Sequence, residues 1–396
     1  MHAPRLLRSF WMAGFECSTL RREDGRQLDL IAATAHERHA GPDFERMRQH
    51  GLTTVRDGLR WHLIEQLPGR YDWRSLLAQL DAAQAHGVQV IWDLCHFGWP
   101  AHIDIFRPAF VERFSAFARA VARLVRDRSD EVPWYCPLNE ISFWSWAGAE
   151  QGFIHPLARD RSLELKHQLV RASIAAIDAM RGVDPRARFL HVDPLVRVLP
   201  NDPSQAEEAA ALNRAQYDAA LLLSGQLWPG LGGNPSYLDV VGLNYYSYNQ
   251  WFLRGATVSP SHPAYQAPRE LLAEAHGLLQ RPLVLAETGA EGAMRVPWLR
   301  FVLEEVHAAL RAGVPMEGVC LYPVLDYPGW SNDRLCETGL LGMAGPDGRR
   351  PLHAPLAREL AQQQQRLHEA LACRAPPPPV ASCPAQAPES AIFLAS

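Results

Sequence analysis

Val132-Pro-Trp-Tyr-Cys-Pro-Leu-Asn139-Glu140 and Arg281-Pro-Leu-Val-Leu-Ala-Glu287-Thr-Gly289 share one pattern: a short apolar, strand-like run that stops abruptly at a carboxylate. Taking such a charge out of water is costly, so a buried strand has no packing reason to end in glutamate. Six further short runs accompany these two: Phe10 to Cys17, Thr53 to Leu59, Val88 to Cys95, Ala187 to Asp193, Leu238 to Tyr245 and Glu317 to Tyr322. Together with Val132 to Asn139 and Pro282 to Glu287 they make eight strand candidates. Each is a continuous apolar run of the kind that a parallel sheet buries on both faces.

Amphipathic stretches lie between them: Arg74 to His86, Pro108 to Arg126, Leu163 to Met180, Ala206 to Leu223, Arg269 to Leu279 and Trp298 to Ala312, with Ala354 to Leu371 after the last strand. Strands alternating with helices imply right-handed crossovers, and eight of them imply closure. The fold class predicted is α/β, a single (β/α)8 TIM barrel. No sequence repeat accompanies the structural one. The barrel is assigned to residues 1–372. Residues 373–396 hold Pro376 to Pro379 among small and polar residues with no amphipathic period, and read as a disordered tail.

A chain of 396 residues can hold two average domains or one large barrel. Hydrophobic residues at 47% supply a core, and a formal net charge of −4 gives no basic surplus, which argues against nucleic acid as a partner. No apolar run reaches the roughly 18 to 20 residues that span a membrane. The apolar stretch near Met1 is short and leads into the first strand, so it is not read as a signal peptide. Of the seven cysteines no two have C-x-x-C spacing; Cys17, Cys95, Cys136 and Cys320 fall near strand ends as small hydrophobes, and a reducing cytoplasm is the expected location.

In a barrel of this kind the functional face is the one where the strands' C-terminal ends and the following loops gather. Ten polar or aromatic residues follow strand ends here: Glu16, Arg56, His96, Asn139, Glu140, Asp193, Asn244, Tyr246, Glu287 and Asp326. Singly each has a bland reading. Arg56 could salt-bridge a neighbouring strand, His96 and His191 could be satisfied core histidines, and Trp99, Trp144, Trp146, Trp251 and Trp330 could be core aromatics. The 16 histidines are scattered, with no His-x-His at the first strand, so a metal-dependent hydrolase is the weaker alternative and neither metal nor organic cofactor is expected.

These segments resemble those of the clan A glycoside hydrolases, and most of all the family 1 retaining β-glycosidases. Val55-Arg56-Asp-Gly-Leu-Arg60-Trp61 is similar to the second-strand motif whose arginine braces the nucleophile. Asp93-Leu-Cys-His96-Phe-Gly-Trp99-Pro100 resembles the third-strand motif whose histidine binds the sugar, and Leu138-Asn139-Glu140 the fourth-strand Asn-Glu. Gly148 to Pro156 looks like the loop that follows. Val241-Gly-Leu-Asn244-Tyr245-Tyr246 is similar to the sixth-strand motif whose second tyrosine bonds the nucleophile. Leu285-Ala-Glu287-Thr-Gly and Tyr322-Pro-Val-Leu-Asp326-Tyr-Pro-Gly329-Trp330 resemble the seventh and eighth.

The resemblance, in order over roughly residues 8 to 345, implies Glu140 as acid/base and Glu287 as nucleophile, with Arg56, His96, Asn139, Tyr246 and Trp330 in the sugar site and a carbohydrate as partner. The chemistry fits these residue types. A retaining mechanism needs one ionised carboxylate and one protonated carboxyl about 5 to 5.5 Å apart. Arg56 and Tyr246 would keep Glu287 charged, while burial and the charge of Glu287 would keep a proton on Glu140. An inactive glycan-binding protein on the same barrel is the alternative.

Four departures bear on specificity. Gly329 stands where family β-glucosidases carry a glutamate that grips the far hydroxyls of glucose. Leu20 and Arg21 lie near the place of a glutamine, Ile141 follows Glu140 instead of proline, and Thr288 follows Glu287 instead of asparagine. Glycine at 329 is expected to leave room and less negative charge there, which suggests a sugar substituted, acidic or extended at the 4 or 6 position; Arg334 is the one charge near Gly329.

Overall fold

In the computed structural model, which describes residues 5–372, the eight apolar runs become eight parallel strands. They are β1 (Trp11–Gly14), β2 (Thr54–Gly58), β3 (Gln89–Asp93), β4 (Trp134–Cys136), β5 (Arg188–Pro194), β6 (Val240–Asn244), β7 (Leu283–Thr288) and β8 (Met316–Leu321). Each pairs with its neighbours in chain order, and β8 pairs with β1, which closes the barrel. The tail expected over 373–396 lies outside the described residues.

Among the described residues ten helices of more than one turn surround or cap the sheet: α1 (His36–Gln49), α2 (Arg74–His86), α3 (Pro108–Arg128), α4 (Ile141–Ala149), α5 (Ser162–Arg181), α6 (Ala206–Ala215), α7 (Asp218–Leu223), α8 (Pro268–Leu279), α9 (Arg295–Arg311) and α10 (Ala354–Ala372). The single helix expected over Ala206 to Leu223 is two, divided at Gln216 and Tyr217. Strand β4 is shorter than its apolar run because Pro133 and Pro137 bracket it, and proline has no N–H for the ladder.

Side chains alternate between two cores. Met12, Ile91, Leu190, Val192, Val240 and Val284 fill the lumen, while a larger layer lies between strands and helices. In that outer layer Trp61 is wholly buried, with its ring 5.2 Å from Phe114 and stacked on Phe117 at 5.3 Å. No helix among the described residues is long and apolar enough to cross a membrane.

Two glycines set how tightly the mouth closes. A Cβ on Gly14 would sit 2.1 Å from the Tyr322 ring, and one on Gly98 would sit 1.8 Å from the Thr19 carbonyl. Hydrogen in place of a side chain thus lets the loop after β1 lie against the loop after β3, where Thr19 N–H donates to the His96 carbonyl at 3.0 Å.

Candidate active site

Arg56, near the end of β2, is wholly buried in the lumen and is the hub of the mouth. Its Nη1 donates to Glu287 Oε1 at 2.9 Å and to the Ala286 carbonyl at 3.0 Å; its Nη2 donates to Asp93 Oδ2 at 2.6 Å and to Asn139 Oδ1 at 3.0 Å. One guanidinium therefore links the ends of β2, β3 and β7 to the segment after β4. The fork of donors suits this arrangement, which a lysine could not reproduce.

Fixing Asn139 Oδ1 on Arg56 turns its Nδ2 toward His96 Nε2, 2.8 Å away. His96 Nε2 then accepts, and Nδ1 carries the proton toward Asp93 Oδ2 at 3.2 Å. Cys17 Sγ also lies 3.2 Å from that nitrogen. The thiol is thus part of the polar network, which corrects its reading as a plain hydrophobe; Cys95, Cys136 and Cys320 are buried in the core as expected. Cys17, Asp93 and His96 offer ligand atoms within 4.8 Å of one another. The positive charge beside the shared Asp93 oxygen is already that of Arg56, so the set suits a guanidinium better than a metal ion.

Glu140 lies between Asn139 and α4 with φ at +46°, a left-handed backbone that side chains other than glycine rarely adopt. Such strain is held by surroundings that over-determine it, and it clusters at functional positions. Here Glu140 N–H donates to the Val192 carbonyl at 3.0 Å, and the Asp193 carboxylate receives Ser142 N–H at 2.8 Å and its hydroxyl at 3.0 Å. Asn244 Nδ2 donates to Glu140 Oε1 at 2.7 Å.

The two glutamates sit in different electrostatic settings. Burial, then the charge of Glu287, pushes Glu140 well above the ordinary carboxylate range, with Asp193 acting the same way; the bond from Asn244 and the charge of Arg56 oppose it only in part. Burial raises Glu287 as well, but Arg56 at 2.9 Å pulls it back, and Tyr246 Oη donates to its Oε2 at 2.9 Å. Burial and the charge of Glu287 raise Tyr246, which keeps it a donor. Of the two carboxyls, the one beside the guanidinium ionises first.

Trp330 is half-buried, edge-on to Phe97 at 5.6 Å and 6.5 Å from Phe143, on the rim beyond His96. The structure thus joins Arg56, His96, Asn139, Tyr246 and Glu287 by direct bonds and sets Glu140 within reach of the Glu287 charge, while Trp330 meets this group only through Phe97. Trp144 is wholly buried and Trp99 stacks on His155 at 4.0 Å, as core aromatics, and His191 is buried 3.2 Å from Asp193. Asp93, Asn244 and Tyr248, which is stacked on Tyr246 at 5.4 Å, have no role assigned by sequence reasoning. The signal for Asp93 and Asn244 is their place at strand ends; Tyr248 has none.

The surroundings of Gly329 are close rather than open. A Cβ there would meet Asn332 Oδ1 at 2.9 Å, with the Arg334 carbonyl and Cys336 Sγ at 3.4 Å, because Tyr327–Pro328 pairs with Leu335–Cys336 and folds the intervening loop back onto it. The nearest of these atoms is the tip of a side chain, so a larger residue here would displace Asn332. Arg334 pairs with Glu291 on the surface.

The same barrel is found in solved structures of a β-glucosidase from Thermotoga maritima. Its complex with deoxynojirimycin aligns at a TM-score of 0.74 and 15% identity over 91% of this chain and 99% of that one. The family 1 β-glucosidase structure from the same organism aligns at 0.73 and 16% over 91% and 99%. The glucoimidazole complex aligns at 0.71 and 18% over 87% and 90%. At these identities the shared property is the fold. No protein-family model matches the sequence, and no curated protein matches it either.

Proposed function

We propose that the chain is a retaining β-glycosidase with Glu287 as nucleophile and Glu140 as acid/base. The observation that carries this reading is the asymmetry of two carboxyls at one mouth: Glu287 is bonded to Arg56 and Tyr246, while Glu140 has no cation of its own and faces the charges of Glu287 and Asp193. Glu287 is then ionised when Glu140 is protonated, the starting state that a double displacement needs.

In the first step a Glu287 oxygen attacks the anomeric carbon as the bond to the leaving oxygen breaks, and Glu140 gives its proton to that oxygen. A glycosyl ester on Glu287 results. The nucleophile's charge is now gone, so Glu140 holds its own charge more easily and takes a proton from water. The water oxygen attacks the same carbon from the opposite face and releases Glu287. Two inversions leave the anomeric configuration retained. Asn139 keeps a second N–H beyond the one aimed at His96, suited to a sugar hydroxyl, and Trp330 offers an indole face on the rim.

The reaction runs on the two carboxyls, so a chelator is expected to leave the rate unchanged. Residues 1–372 act as one catalytic unit in this reading. The five free buried cysteines among the described residues favour a reducing compartment such as the cytoplasm. The test is a panel of aryl β-glycosides with the product followed by NMR as it forms. Release of the β anomer first, abolished in Glu287→Gln, supports the reading; α anomer first, or full turnover in that variant, refutes it. Binding without turnover in the wild type would favour the glycan-binding alternative.

A further inference from the structure

One face of α6 carries Ala206, Ala209, Ala210 and Asn213, spaced three and four residues apart so that they share a side of the helix. The three alanines are too small to reach the elements opposite. Asn213 is held to the short strand Arg197–Leu199, where it donates to the Val198 carbonyl and accepts the Val198 N–H, both at 2.8 Å. The result is a cavity of about 690 Å³ between α6, that strand, Leu221 of α7 and Leu278 of α8. Ligand pockets hold roughly 300 to 1,000 Å³, so this one is of ligand size. None of the residues that line it belongs to the mouth that holds Glu140 and Glu287.

Two residues of its wall hold polar groups without a partner. Tyr217, in the break between α6 and α7, is 4% exposed, and its hydroxyl makes no hydrogen bond among the described residues; the same is true of the buried Arg197 Nε. Such orphaned groups are costly and rare in native proteins, and each calls for a reason. The charges of the wall say what would complete it. Asp218 is taken by Lys166 at 3.0 Å, whereas Arg197, Arg214 and Glu274 enter no ion pair among the described residues. Arg214 and Glu274 are exposed and solvated, while Arg197 is half-buried, so the inner charge that lacks a counter-charge is positive. An apolar wall with one unmatched guanidinium and one unmatched hydroxyl complements a molecule with an apolar body and an anionic end. A carboxylate fits the guanidinium fork and matches its single charge. A phosphate monoester would bring a second negative charge toward Glu274.

We propose that this cavity is a second binding site, which takes a monocarboxylate with an apolar body. The carboxylate pairs with Arg197 and accepts from the Tyr217 hydroxyl, and the body lies against the alanines of α6 and the leucines of α7 and α8. The site stands apart from the glycosidase reading, since it uses none of the same side chains.

The experiment titrates the full chain by calorimetry with decanoate, 1-decanol, acetate and decyl phosphate, in wild type, Arg197→Gln, Tyr217→Phe, Glu274→Gln and Ala210→Trp, each checked for folding by circular dichroism. Decanoate is expected to saturate one site per chain. Decanol, which lacks the charge, and acetate, which lacks the body, should each bind at least about tenfold more weakly, the scale of one charge-assisted hydrogen bond or of two buried methylenes. Arg197→Gln should weaken decanoate to the level of decanol, and Tyr217→Phe should weaken it less. Glu274→Gln removes a like charge and should strengthen it. Ala210→Trp fills the hollow from a half-buried position and should abolish binding. If Arg197→Gln does not fold, Ala210→Trp and the exposed Glu274→Gln decide the matter. The assignment is overturned by the absence of saturable decanoate binding, by decanol binding as tightly as decanoate, by decyl phosphate binding more tightly, or by an affinity that Ala210→Trp or Arg197→Gln leaves unchanged.

Discussion

Strand β2 carries two adjacent buried charges that point opposite ways. Arg56 faces the lumen and binds Glu287, Asp93 and Asn139. Asp57 faces the helices, where His36 Nε2 lies 3.1 Å and Gln79 Nε2 2.8 Å from its Oδ2. The outer network closes on itself: His36 continues to Asp43 at 2.8 Å, and Asp43 to Arg350 at 2.6 Å. The inner one opens on the mouth and leads to groups with capacity to spare, the second N–H of Asn139 and the proton of Glu140. Buried charge by itself therefore marks nothing, since both networks have it. What separates them is whether the chain of partners ends inside the protein or at a cavity.

The largest effect should come from the inner network and fall on rate. Glu287→Gln is expected to lower kcat by about 10⁴-fold or more, beyond the roughly 10² to 10⁴ that a positioned acid or base supplies alone, with the folded structure kept. Steady-state kinetics beside a circular dichroism melt would decide it. Activity within tenfold of wild type would show that the two sides of β2 do not differ in the way argued.

The outer network should instead fall on stability. Burial alone would push His36 down, but the charge of Asp57 and the bonds to Asp43 and Asp57 outweigh it and raise it from 6.5 to about 9. The folded state thus binds the His36 proton more tightly than the unfolded state, so this stabilisation is complete below about pH 6.5 and is lost as pH rises through about 9. At roughly 1.4 kcal/mol per unit it amounts to about 3 kcal/mol. Urea melts at several pH values should show His36→Gln less stable by about that much at pH 6 and the difference shrinking by pH 10, with kcat of the folded protein unchanged. A pH-independent difference would remove His36 from this role.

The same contrast explains what can be read from the sequence. All eight strands are legible because each is an apolar run bounded by polar residues, and the two glutamates because they interrupt such runs. Helix α1 is not, since Pro42 lies inside it, the backbone kinks at His39 and charges break its apolar face. Helix α4 escapes for the opposite reason: Ile-Ser-Phe-Trp-Ser-Trp-Ala-Gly-Ala has hardly any polar side to give a period. In the site, Arg56 and Glu287 are paired through a resemblance. The bridges through Asp93 and the Asn244 bond to Glu140 depend on closure of the barrel, which local sequence does not express. Gly329 shows the converse limit, since a missing side chain reads as space although the Asn332 side chain stands 2.9 Å from where its Cβ would be.

A finer test concerns the groups around Glu140. Glu287, Asp193, Arg56 and Asn244 are the charged and polar groups that act on it, and Asp193 raises it. Activity needs the protonated acid, so rate falls as pH rises through the Glu140 pKa, which forms the basic limb of the kcat/KM profile. Asp193→Asn keeps a polar partner near Ser142 and removes one charge, and should move that limb to lower pH. An unmoved limb, with the variant folded, would mean that Asp193 only holds the start of α4.

The smallest effect should run against intuition, because it is a gain. Glu140 is raised in the folded protein, so relative to the unfolded chain its protonated form is favoured; that contribution is complete below about pH 4.5 and is lost as pH rises through the elevated value. Above that value the folded protein bears the cost of a half-buried charge with no cation of its own. Glu140→Gln keeps the shape, still accepts from Asn244 through its amide oxygen and removes the charge. It is therefore expected to be more stable than wild type at pH 8 and equal to it at pH 4, while losing acid catalysis. Glu287→Gln should show a smaller gain, since burial raises Glu287 too but Arg56 at 2.9 Å offsets part of that cost. Melting both variants at pH 4 and pH 8 separates the two carboxyls without any substrate. Equal responses would mean that the asymmetry on which their catalytic roles rest does not exist.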